Sequence, residues 1–151
     1  MPILVRRATP ADAAVVCEFN RLLALESEGK TLDPALLHAG VQRALADDNK
    51  GRYFLALLDG SIVGQLGVTY EWSDWRNGWF WWIQSVYVRP EARRRGVFRA
   101  LFQHVLDSAK FDPQVIGIRL YVERDNHSAQ GTYEAMGMQR TGYQVMERYP
   151  L

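Results

Sequence analysis

The sequence predicts a mixed α/β fold of the α+β kind, with a mostly antiparallel central sheet, helices on both faces and the element order βααβββαβαβ. Three observations predict it. Two turn signals, Asp59-Gly60 and Asn77-Gly78, stand between strand-like runs and mark successive hairpins. Residues 79–88 are apolar at nearly every position, not at every second one, so both faces of that strand must be covered. Helical spacing of apolar residues holds before the hairpins and again after them.

In order along the chain, residues 3–7 read as a short first strand. Thr9-Pro10-Ala11-Asp12 then has the form of a helix start, with Thr9 as cap and Pro10 where a missing N–H costs nothing. Val16, Phe19, Leu22 and Leu23 recur at helical spacing to about Leu25, and the charged residues 26–30 are expected to end the helix. Asp33-Pro34 opens a second helix by the same capping logic, with Leu37, Val41, Ala44 and Leu45 as its apolar stripe. Residues 53–58 and 62–70 form the first hairpin, and Arg89-Pro90 ends the central strand that follows the second turn. Phe98, Leu101, Phe102, Val105, Leu106 and Ala109 mark a helix over about 94–110, and 115–122 is a further strand. Asp125-Asn126 caps a helix to about Met136, with Gly137 where a left-handed cap sits. Residues 138–149 supply the closing strand or strands. With no repeat or low-complexity segment, residues 1–151 read as one domain.

Composition bounds the function. Hydrophobic residues make up 48% and charged residues 23% of the 151, as in ordinary soluble domains. No apolar run approaches the roughly 18 residues a spanning helix needs, so no membrane partner is expected. The opening residues lack the charged-then-apolar order of a secretory signal, and a cytoplasmic location is expected. Cys17 is alone and lies in the apolar part of the first helix, which makes it a core residue and not a nucleophile. The three histidines show no metal-ligand spacing, so no metal is expected. A net charge of +1 argues against a nucleic-acid partner, which would require a broad basic surface, and leaves any anion binding local.

That local site is Arg93-Arg94-Arg95-Gly96-Val97-Phe98-Arg99, at the junction between the central strand and the next helix. A helix dipole disfavours cations at its start, so arginines clustered there suggest an anion that neutralises them. Backbone N–H groups at a helix start point toward such an anion, and Gly96 removes the side chain that would hold it off. The alternative reading of the run is a solvated basic surface.

These residues resemble the cofactor motif of the GNAT N-acetyltransferases: Arg or Gln, two residues, Gly, one residue, then Gly or Ala. Arg93 and Gly96 match, whereas Phe98 stands where the last small residue is usual. A second stretch is similar to the family's later pattern, a strand followed by Asn126, Ala129, Tyr133 and Gly137 before an apolar residue. The resemblance implies acetyl-CoA as co-substrate and an amine of a small molecule or peptide as acceptor. It also implies a pantetheine arm that enters beside the central strand like an added strand. Main-chain groups of Val86 and Val88, with Tyr87 between them, would then meet the arm, and residues 94–99 the diphosphate. In the same reading Asn126, Ala129 and Tyr133 serve the cofactor. The Val86 N–H polarises the acetyl carbonyl and Tyr133 is the general acid. Without the resemblance, Asn126 is a helix cap and Tyr133 a half-buried aromatic.

The base is the least defined role. Relatives use a carboxylate on the central strand where this chain has Gln84, so Glu71 is the first substitute, directly or through a water. Glu26 and Glu28 are others, because the connection after the first helix lines the acceptor pocket in relatives. Trp72, Trp75, Trp79, Trp81 and Trp82 crowd the second hairpin, where packing in the core competes with caging a cationic acceptor. Dimers are common in the family, so a homodimer is a further expectation. The competing functions are a non-catalytic CoA-binding regulatory module and a transferase of longer acyl groups.

Overall fold

The computed structural model describes residues 2–151 and divides into two compact units, one ending at Leu120 and the other Tyr121–Leu151. The first unit holds β1 (Ile3–Arg7), α1 (Ala13–Glu28), α2 (Pro34–Ala46), β2 (Arg52–Leu58), β3 (Ser61–Ser73), β4 (Gly78–Val88), α3 (Val97–Phe111) and β5 (Val115–Leu120). Its sheet runs β1-β2-β3-β4-β5, antiparallel through β4, with β5 parallel to β4 after the α3 crossover. This is the mixed, mostly antiparallel sheet that the hairpin signals predict.

Helices cover both faces. On β2 the alternation of side chains sends Leu55 and its odd-numbered neighbours toward α1 and α2, where Ala8, Val16, Val41 and Leu55 form a buried cluster with Leu37 and Leu45. Cys17 packs against this cluster and burial raises its thiol pKa, so it is a core residue. The even-numbered side faces α3: Phe54 meets His104 edge-on at 5.1 Å between ring centroids, and Leu101, Phe102 and Val105 are buried. Burying each such large side chain contributes about 1.5–3 kcal/mol.

The capping signals at α2 are realised: Asp33 accepts from the N–H groups of Ala35 and Leu36 at 2.9 and 3.2 Å. Thr9-Pro10 instead opens a short 3-10 turn, Pro10–Asp12, that leads into α1. Two boundaries differ from expectation. Charged residues are good helix formers, so α1 continues through Glu26 and Glu28 and stops only at Gly29, whose φ of 64° closes the helix. The three arginines precede α3 and do not form its first turn, because Arg94 (φ 62°) and Gly96 (φ 83°) adopt left-handed conformations that a helix excludes.

The second unit contains α4 (His127–Ala135). Asn126 caps it by accepting from the Ala129 N–H at 3.1 Å, and Gly137 (φ 93°) closes it as Met138 N–H donates to Tyr133 O at 3.0 Å. The expected closing strand over 138–149 is absent, and no described residue after Leu120 lies in a strand. An extended segment needs a ladder neighbour to offset its ordering, and Tyr143, Val145, Met146 and Tyr149 are exposed. The observed order is therefore βααβββαβα.

Candidate functional site

The central feature is an incomplete edge. β5 pairs with β4 from Trp79↔Val115 to Ile83↔Leu120 and no further, which leaves residues 84–88 without a strand partner on that side among the described residues. Opposite them, β3 keeps its pairing with β4 but shifts register between Gln65 and Gly67, so Ser85 and Val86 form a bulge. Ser85 sits there at φ 52°, a left-handed conformation that costs a non-glycine residue about 1–2 kcal/mol. Pairing with β3 resumes at Tyr87 and Val88, opposite Gln65 and Gly64.

The strand then leads through the turn Pro90–Ala92 into the arginine segment. A cavity of about 200 Å³ opens here, lined by Val88, Ala92, Arg93, Arg94 and residues 96–99. The first bond that α3 makes is Ala100 N–H to Gly96 O at 3.0 Å, and the N–H groups that precede it, those of the first helical turn, point out of the helix start. Left-handed residues at 94 and 96 turn the backbone sharply at the entry to α3. Among the described residues no ion pair engages Arg94, Arg95 or Arg99. Phe98 packs on Phe102 at 5.9 Å, on the helix side of the turn.

Arg93 is used differently. Its Nη2 donates to Glu26 at 2.8 Å, its Nε donates to the Val88 carbonyl at 2.9 Å, and its guanidinium lies over the Tyr87 ring. Tyr87 donates its hydroxyl to the other Glu26 oxygen at 2.6 Å. Arg93 first and Tyr87 second hold the Glu26 carboxyl below its ordinary pKa, while burial first and Glu26 second raise that of Tyr87. The end of α1, the end of β4 and the arginine turn are thus tied at one carboxylate. Glu28 is paired instead with Lys30, at 3.6 Å.

Glu71 lies on the α1 side of the sheet with Thr69, Trp82 and Gln84. Its Oε1 accepts from Trp82 Nε1 at 2.9 Å and from Arg119 at 3.0 Å, and Gln84 donates to Thr69 at 3.2 Å. Arg119 stacks on Phe80 at 3.7 Å, an approach that Gly117 permits because a Cβ there would lie 2.7 Å from that ring. Glu71 is opposite Phe80 in the register, six residues before Val86. That spacing is about 20 Å of strand, too far for direct contact or a single bridging water, so a base role for Glu71 would run through a chain of waters. Trp72 is on the other face, edge-on to Trp79 at 5.0 Å, and shares no surface with Glu71. Of the five tryptophans only Trp81 is buried, while Trp72 and Trp75 are exposed.

In the second unit, Asn126, Ala129 and Tyr133 share α4, and burial raises the Tyr133 phenol above its ordinary pKa. Sequence reasoning missed Gln65, which is fully buried and donates both to Asn20 at 2.8 Å and to the Ser85 carbonyl at 2.9 Å. Its signal was legible, as the one polar residue in the otherwise apolar or glycine run 62–68.

The model of the acetyltransferase (GNAT) family matches residues 18–138. The chain belongs to the GNAT acetyltransferase family. It is an acyltransferase of that fold. A crystal structure described as a "possible acetyltransferase" from Clostridium difficile 630 is 42% identical, with a TM-score of 0.93 over 100% of this chain and 99% of that one. Phosphinothricin N-acetyltransferase of Streptomyces viridochromogenes is 26% identical over 94% of this chain and 83% of its own length. A predicted acetyltransferase from Clostridium acetobutylicum, solved with acetyl-CoA, shares the GNAT fold at 18% identity, with a TM-score of 0.78 over 97% of this chain and 96% of that one. No helix among the described residues is long and apolar enough to cross a membrane.

Proposed function

We propose that this GNAT protein moves an acetyl group from acetyl-CoA directly to the primary amine of a small molecule or peptide. The observation that carries the reading is the continuity of the unpaired β4 edge, residues 84–88, with the turn at Gly96. A pantetheine arm bonded along such an edge, to main-chain groups of Val86 and Val88, brings its diphosphate to the N–H groups of 97–99 and to Arg94, Arg95 and Arg99. Arg93 and Glu26 brace this turn. The family pattern assigns Asn126, Ala129 and Tyr133 to the cofactor, and the match over 18–138, which crosses Leu120, supports reading the chain as one catalytic domain.

In the reaction the amine nitrogen attacks the thioester carbonyl carbon, the C–S bond breaks and the CoA thiolate departs. The Val86 N–H stabilises the oxygen as it gains charge. Tyr133, whose phenol is protonated at neutral pH, gives its proton to the thiolate, and burial, which raises its pKa, has to be offset by the charge of the departing thiolate. The proton of the amine leaves through water, with Glu71 as its carboxylate destination.

An assay of free thiol released from acetyl-CoA over a panel of amines tests the reading. Release with at least one amine is expected, and Tyr133→Phe should slow it about 100-fold or more while leaving acetyl-CoA affinity within about twofold. Tight binding with no thiol released under any amine would instead identify a non-catalytic CoA-binding module. Preference for a longer acyl-CoA would overturn the acetyl assignment alone. Equal loss of binding and turnover in Tyr133→Phe would remove Tyr133 from the acid role.

A further inference from the structure

The peptide that joins Ser85 to Val86 carries both the Ser85 carbonyl and the Val86 N–H. In a planar trans peptide these two groups point in opposite directions, so fixing one aims the other. The Ser85 carbonyl accepts a hydrogen bond from Gln65 Nε2 at 2.9 Å. Gln65 belongs to β3, on the side of β4 away from β5. The Val86 N–H therefore points away from Gln65 Nε2, at a residue of β4 that β5 leaves unpaired.

Nothing else about Gln65 explains its place in the core. It is fully buried between α1 and the sheet, where an apolar side chain of the same size would pack. Both protons of its amide nitrogen are used, on Asn20 Oδ1 at 2.8 Å and on Ser85 O, whereas its buried amide oxygen has no partner among the described residues. A buried acceptor left unpaired is a cost, so the amide is present for what it donates. Its orientation is determined, because a backbone carbonyl only accepts and the reverse amide would set two oxygens against each other. Asn20 is steadied in turn by donating to the Tyr53 hydroxyl at 3.3 Å.

We propose that Gln65 is a positioning residue for acyl transfer: by holding the Ser85 carbonyl it aims the Val86 N–H at the acyl carbonyl oxygen. This rests on the role given to Val86 above. The chain Tyr53, Asn20, Gln65, Ser85 locks a bulge that is strained at Ser85, and preorganised donors of this kind act without reorganising during the reaction.

The test is infrared spectroscopy of acetyl-CoA carrying ¹³C at the thioester carbonyl, bound to the full chain, with kinetics on the same samples. The wild-type protein should shift the carbonyl stretch to lower frequency than in free acetyl-CoA. Gln65→Met, close in shape but without a donor, should lose most of that shift. Its kcat should fall about tenfold or more, part of the 10²–10³ that removing an oxyanion donor costs, while KM for acetyl-CoA changes less than about threefold. If that variant does not fold, Asn20→Ala gives the same comparison with Gln65 in place, and a partial loss of the shift is expected. A wild-type shift that Gln65→Met or Asn20→Ala keeps in full would overturn the role of Gln65 and leave the acetyltransferase reading standing. Bound acetyl-CoA with no shift in the wild type would overturn the role of Val86, and that of Gln65 with it.

Discussion

Asp12 shows how much one side chain does for the first unit. Arg6 donates to both of its oxygens at 2.9 Å and the Thr9 N–H donates at 2.8 Å, tying β1 to the start of α1. Arg6 is the main cause that holds the carboxyl at about 2, below its ordinary 3.8. A depressed folded pKa means that the stabilisation is fully present above 3.8 and is lost as pH falls toward 2. Arg6 is 43% exposed, so solvent screening reduces the contribution to about 1 kcal/mol. Asp12→Asn should lower unfolding stability by about that amount at neutral pH. In urea titrations at several pH values the gap between wild type and variant should close as the medium is acidified. A gap that persists at pH 2 would show that the ion pair is not its source.

At the scale of elements, the turn between β4 and α3 carries the cofactor reading. Gly96 has φ 83° and open space where a Cβ would stand, so a substitution there is opposed by backbone conformation and not by a clash. Gly96→Ala should cost about 1–2 kcal/mol of stability for the left-handed residue. It should also weaken acetyl-CoA binding several-fold by turning the first N–H groups of α3 aside, as calorimetry would register. The arginine cluster at this junction was legible in the sequence, but which of its members are paired was not. Arg93 is committed to Glu26 and Val88, and that pairing depends on α1 running on to Gly29, past the charged residues that were expected to end it. The place of β4 in the sheet, covered on both faces, followed from its unbroken apolar run. The bulge at Ser85 did not, because a single serine in a strand carries no signal of a left-handed φ until its neighbour Gln65 is located in space.

Across the whole molecule, the hairpin turns, the caps at Asp33 and Asn126 and the period change at Arg52 were enough to order nine of the elements. These are local signals, and local physical chemistry decides them. The closing strand failed for the opposite reason: pairing is not local, and the alternation around Tyr143 and Val145 cannot show whether a neighbour exists. For the same reason the sequence could name Glu71 as a base candidate but not its place opposite Phe80 or its ion pair with Arg119. The proposed CoA site rests on an edge without a partner strand leading to a helix start. The most direct test is a ¹⁵N–¹H correlation spectrum of the labelled chain titrated with acetyl-CoA. The largest amide shifts should fall at Val86, Val88 and residues 96–99, and saturate at one equivalent. Saturable binding whose shifts leave those amides unmoved, or no binding at millimolar acetyl-CoA, would contradict it.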